Sequence, residues 1–268
     1  MTIAVFGVAS NFGINAVSYL SVIASMLLID PRLLHRASRP DTFPSVRRSL
    51  GEGLRYARAT PSVLWPLVLL GGVAALAMNF QTLLPLLTRG ALGMDAGGYG
   101  AIYATMGAGS LVGSLALAFA TSQRPMFRLI IGGGAVFLVL AFALGFVSSP
   151  LVAFPIVAGI GLGSMLMVNT INVVVQNSVP DALRGRVMAL YVTVFAGTAP
   201  VGGLLAGFMA EAFGASFAFS LGAALASGVL VLVAWRLRSV RMPRLEPEVE
   251  LEPRERIGRV REVATRAA

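Results

Sequence analysis

The 268-residue chain predicts an all-α membrane protein with seven transmembrane helices, and three observations carry that prediction. Uncharged apolar runs occupy Met1–Ile29, Ala59–Thr88, Ala96–Gln123, Leu129–Pro180, Val187–Ala210 and Ala212–Trp235. A helix crossing the hydrocarbon core needs about 20 apolar residues. Each run therefore holds one span, and the longest holds two, divided at the turn signal Val147-Ser148-Ser149-Pro150. Mean hydropathy is +0.81 and only 12% of residues are charged, against about 25% in soluble domains. Within lipid, single segments of this length satisfy their own backbone only as helices.

The third observation is the placement of charge. All 21 basic residues are arginines, and they crowd into alternate gaps between the runs. The gap Asp30–Arg58 holds seven, the next only Arg89, then Arg124 and Arg128, then none at Ser148–Pro150. Arg184 and Arg186 follow, then none around Glu211, and the last nine lie from Arg236 onward. Alternate gaps thus carry twenty arginines on one side and one on the other. The arginine-rich side is expected to be cytoplasmic, with the N-terminus outside and the C-terminus inside a plasma membrane.

The elements follow in order. Met1–Ile29 is too long for the apolar core of a signal peptide, and its flanking arginines all follow it, which makes it an outward-starting anchor. Asn11, Asn15 and Ser18 share one face of that helix, suited to hydrogen bonding inside a bundle or to a substrate. Asp30–Thr60 is the long internal loop, its first half interrupted by Pro31, Pro40 and Pro44. From Ser45, SVRRSLGEGLRYARA predicts a short amphipathic helix on the inner membrane surface, weakened by Gly51 and Gly53. His35, the single histidine, falls in the loop and reads as solvated.

Pro61 opens the second span, which carries Asn79 and Thr82 on one face. The fifth carries Asn169, Asn172 and Gln176 within an arc of roughly 60°. A polar stripe this narrow faces protein or water, either lining a pathway or locking a neighbouring helix. Gly109 with Gly113 and Gly203 with Gly207 have the spacing that brings helix backbones together. Arg241–Ala268 is a charged tail, acidic first and then mixed, expected to be solvated.

Several functions are excluded or disfavoured. A retinal protein needs a Schiff-base lysine, and the chain has none. Intramembrane hydrolysis needs paired acids, an activated serine or a metal motif, and no acid or histidine lies mid-span, so the expectation is no enzyme, no cofactor and no metal. The absence of cysteine removes disulfides and thiolate sites. The net charge of +9 sits in loops and tail, where topology and anionic lipid account for it without nucleic acid.

Two stretches carry a resemblance. NSVPDALRGRVMALY, Asn177 to Tyr191, is similar in its VPDxLRGRVM core to a cytoplasmic loop of major facilitator superfamily transporters. GTAPVGGLLAG, Gly197 to Gly207, is similar to the Gly-Pro-x-x-Gly-Gly-like helix signature of facilitator exporters, here offset as A-P-V-G-G. FGINAVSYLSVIASMLLI and GLRYARATPSV extend the match toward the branch of enterobactin-type siderophore exporters and macrolide efflux proteins.

The resemblance implies a C-terminal portion equivalent to family helices six to twelve, six of the seven helices forming the C-terminal half-bundle. On that frame residues 1–29 are family helix six, 30–61 the central cytoplasmic loop, 62–238 the six-helix half and 239–268 the tail. It implies efflux of a drug-like or siderophore-like small molecule. Its partners would be the bilayer, the substrate, and a missing N-terminal half or a second copy. The alternative is a non-transporting remnant or interaction subunit from a truncated gene. Pro180, Asp181, Arg184, Gly185 and Arg186 would form a tight loop that latches the inner gate, or else only enforce topology. Asn79, Thr82, Asn169, Asn172 and Gln176 would border the substrate pathway. Gly197, Pro200, Gly202, Gly203 and Gly207 would bend the sixth span and pack it closely. A coupling carboxylate, if used, would lie in the missing half.

Overall fold

The computed structural model of the chain describes residues 2–29, 46–119 and 126–238. His35, the proline-rich half of the long loop and the tail from 239 lie outside them. The described residues form nine helices and no strand: α1 (Thr2–Leu27), α2 (Val46–Ala59), α3 (Pro61–Leu76), α4 (Phe80–Gly90), α5 (Ala96–Phe119), α6 (Met126–Leu144), α7 (Pro150–Asn177), α8 (Asp181–Phe213) and α9 (Ala215–Leu237). Six stretches among them are long and apolar enough to cross a bilayer: Pro61–Gly90, counted through the α3–α4 break, and α5 to α9. In α1 the described apolar stretch is the shorter Asn15–Leu27.

The bundle is built around α7, which packs against α5 on one side and α6 on the other. From α6 the packing passes to α9, then α3, then α8, with α2 lying across α8 and α3. Phe80 at the start of α4 anchors this arrangement, its ring 5.9 Å from Phe137 of α6 and 6.3 Å from Phe219 of α9. Such spacing suits tilted aromatic pairs. The turn between α8 and α9 is the single residue Gly214 at φ 89, a conformation that a Cβ would strain.

The second span departs from the sequence expectation of a continuous helix. It breaks between Leu76 and Phe80, and Asn79 stands at the start of α4 instead of inside one helix. In an unbroken helix the Asn79 backbone N–H would bond the Ala75 carbonyl. Here the Asn79 side-chain Nδ2 donates to that carbonyl instead, at 2.9 Å. The side chain thus offers the backbone an alternative to the helical bond. The exposed end of α3 is sealed by glycines: a Cβ on Gly202 of α8 would overlap the Ala75 carbonyl, and one on Gly222 of α9 the Leu76 carbonyl. Non-helical backbone at membrane depth is tolerated where protein buries it in this way.

In α1 the residues whose burial is described, Gly13 and Asn15 to Leu27, are all exposed, and α1 packs on no other element among the described residues. Ser18 donates to the Asn15 carbonyl at 2.7 Å and Ser21 to the Ser18 carbonyl, so these hydroxyls are satisfied within their own helix. The side chain of Asn11 lies outside the described residues.

Candidate functional site

The RGR signature lies on a helix and not on a tight loop. Pro180 precedes α8, Asp181 opens its first turn, and Arg184, Gly185 and Arg186 are all helical. An acid in the first turn complements the helix dipole. Asp181 pairs with Arg184 at 2.6 Å across one turn, both exposed. Arg186 points the other way and pairs with Glu52 of α2, its side chain 31% and that of Glu52 22% exposed. Two further contacts join α2 to this region. The Tyr56 hydroxyl donates to the Ser178 carbonyl at 2.8 Å, and Gly53 lies so close to the Arg186 carbonyl that a Cβ there would sit 3.1 Å from it. The amphipathic segment is therefore docked on the start of α8.

The polar residues of the spans fall into two groups that no hydrogen bond joins among the described residues. In the first, Asn169 Nδ2 donates to Ser114 Oγ of α5 at 3.1 Å. One turn along α7, Gln176 Nε2 donates to Asn172 Oδ1 at 2.5 Å. Tyr191 of α8 lies close enough to Asn172 to interact with it, so the cluster reaches three helices. Tyr191 escaped the sequence reading because a tyrosine in an apolar run looks like core; its phenol one helix away completes the stripe. In the second group, buried Asn79 caps α3, while Thr82 of α4 rests 3.7 Å from where a Gly203 Cβ would be and 3.9 Å from that of Gly207.

The glycine expectations separate in the same way. A Cβ on Gly109 or Gly113 would overlap or crowd the Ala158 or Leu162 carbonyl of α7, the close approach that their spacing predicts. On α8 the tight residue is Gly202, whereas Gly203 and Gly207 have room for a methyl group and Gly197 meets only Thr193, at 4.0 Å. α8 remains helical through exposed Pro200. It is also the least buried of the spans, at 17%, and α5 follows at 22%. Leu111, Val112 and Leu115 of α5 and Val201, Leu204 and Phe208 of α8 stand exposed.

Long apolar helices packed through glycine, with charge confined near their ends, define a multi-pass all-α membrane protein. The family described as transmembrane secretion effector matches residues 1–262, and the chain belongs to it, a branch of the major facilitator superfamily of membrane transporters. That superfamily is one of membrane transporters. Comparison with curated proteins finds no match.

Proposed function

We propose that the chain provides the C-terminal half of a secondary transporter that exports a bulky, partly apolar compound, drug-like or siderophore-like, across the plasma membrane. The arginine-rich end faces the cytoplasm and the N-terminus lies outside. The observation that carries this reading is the Ser114–Asn169 and Asn172–Gln176–Tyr191 cluster, set between α5, α7 and α8, in a bundle whose α5 and α8 faces are open. Transporters of this architecture bind substrate near the midplane between two repeats and rock one against the other. Asn79, Thr82, Asn169, Asn172 and Gln176 supply polar contacts to the substrate, and the Arg186–Glu52 pair with Asp181–Arg184 holds the inner gate. The α1-plus-six-helix chain offers one wall of such a cavity, so the opposite wall comes from another segment or a second copy.

Deleting the reading frame in the native cell is expected to raise intracellular retention of at least one small molecule, read by comparing metabolites inside and outside the cell. The purified 268-residue chain in liposomes is expected to give no saturable efflux of dyes or siderophores by itself. Saturable flux that disappears on Asn169→Leu would overturn the need for a second wall. An unchanged export profile after deletion would sink transport and favour the second reading, an interaction subunit, to which the exposed α1 and the open α5 and α8 faces also lend themselves.

A further inference from the structure

We propose that the groove between α2 and the first turn of α8 binds the phosphate headgroup of an anionic phospholipid in the cytoplasmic leaflet. The groove is a cavity of about 340 Å³ lined by Glu52, Arg55, Tyr56, Ala59 and Leu183. Its nearby charges are unequally matched. Glu52 is engaged by Arg186, and Arg184 by Asp181. Arg55, inside the groove, and Arg58, one turn further along α2, are exposed and make no ion pair among the described residues. The surplus at the groove is therefore positive, and a guanidinium presents a planar fork matched to a phosphate.

Depth distinguishes a lipid from a soluble anion. Thr60 alone separates α2 from α3, so the groove lies where the spanning stretch Pro61–Gly90 begins. The two tryptophans of the chain, Trp65 and Trp235, both lie at this end, each ring centroid 5.1 Å from the Arg236 guanidinium. Indole rings settle at headgroup level. Beside the arginines, Leu50 and Leu54 occupy neighbouring turns of α2 and remain 42% and 38% exposed. An amphipathic helix with that pattern sinks its leucines into the headgroup–acyl boundary. A free anion would satisfy Arg55 alone, whereas a phospholipid offers phosphate to the arginines and acyl chain to the leucines. Because Glu52 and Gly53 also fasten α2 to α8, and Tyr56 fastens it to Ser178 just before that helix, an occupant of the groove braces the start of α8.

The proposal rests on the orientation proposed above and not on the transport reading, so transport and lipid binding can each fail alone. The test is native mass spectrometry of the full chain released from nanodiscs holding equal phosphatidylglycerol and phosphatidylcholine. Phosphatidylglycerol is expected to be retained preferentially, and Arg55→Gln to cut that preference about fivefold. Arg55→Gln with Arg58→Gln is expected to abolish it with the helical circular dichroism intact, while Arg89→Gln, in the arginine-poor gap, leaves it unchanged. Excess inorganic phosphate is expected not to displace the lipid. Equal retention of the two lipids, a preference that survives the Arg55→Gln substitution, or displacement by phosphate would each overturn the proposal.

Discussion

Where α5 and α6 meet α7, backbone lies on backbone. Gly161 of α7 faces the Met106 carbonyl of α5, and Gly163 faces Gly133 and Phe137 of α6, with no space for a Cβ at either position. Where α8 meets the rest of the molecule, Gly202 is the one glycine of α8 packed tightly on backbone, and much of the remaining joint is made by side chains: Arg186 to Glu52, Tyr191 to Asn172, and the Val194 methyl over Gly71. The first kind of joint is short-range and sterically exclusive, because dispersion contacts fail within a fraction of an ångström. The second kind is reached by long side chains that can exchange partners. In a bundle without a hydrophobic force between helices, this difference separates a fixed layer from a helix able to shift.

The largest effect expected on this comparison comes from Gly161→Leu, which forces a side chain into the Met106 carbonyl and should cost about 3 kcal/mol or more. The readout is the fraction of chain recovered as a monodisperse species in detergent. Recovery equal to the unsubstituted chain would show that the α5–α7 joint is not exclusive. An intermediate effect is expected at the other joint. A double-mutant cycle on Glu52→Gln and Arg186→Gln should give a coupling of about 1 kcal/mol in unfolding, since the pair is only partly exposed. Zero coupling would mean that Gly53 against α8 and Tyr56 on Ser178 hold α2 in place without the ion pair. The smallest effect is expected from Gly203→Ala, where the nearest atom is Thr82 Oγ1 at 3.7 Å. Helix propensity then favours alanine by about 0.5 kcal/mol, so the thermal midpoint should rise slightly. A fall would place α8 closer to α4 than the contact suggests.

The spans themselves were legible because charge-free runs and arginine gaps depend only on local composition. Each of the six spanning stretches from Pro61 onward overlaps the run that predicts it, and four of them, such as Asp181–Phe213, extend past the charged residues at its borders. Two features were not, for specific reasons. The break at Asn79 arises because its side chain takes over the Ala75 carbonyl beneath a glycine of α8, far along the chain. Nothing in Ala-Leu-Ala-Met-Asn signals that neighbour. The RGR segment read as a loop because glycine between arginines suggests a turn, yet Asp181 after Pro180 is a helix-start pattern, and exposed Gly185 costs the helix only about 1 kcal/mol. Within the candidate site, the helical arc of Asn169, Asn172 and Gln176 was visible from spacing. Their partners Ser114 and Tyr191 were not, because each lies on a different helix.

Arg236 between Trp65 and Trp235 has a spectroscopic consequence. No other indole exists in the chain, so red-edge excited emission originates entirely at one end of the bundle. Trp235, 62% exposed, samples the surroundings directly, while Trp65 is partly enclosed. Arg236 and Trp235 belong to α9 and Trp65 to α3, so a displacement of α9 relative to α3 removes the cation from Trp65 while Trp235 keeps it. The native chain therefore carries its own optical gauge of that interface, readable by wavelength and quenching without an attached dye.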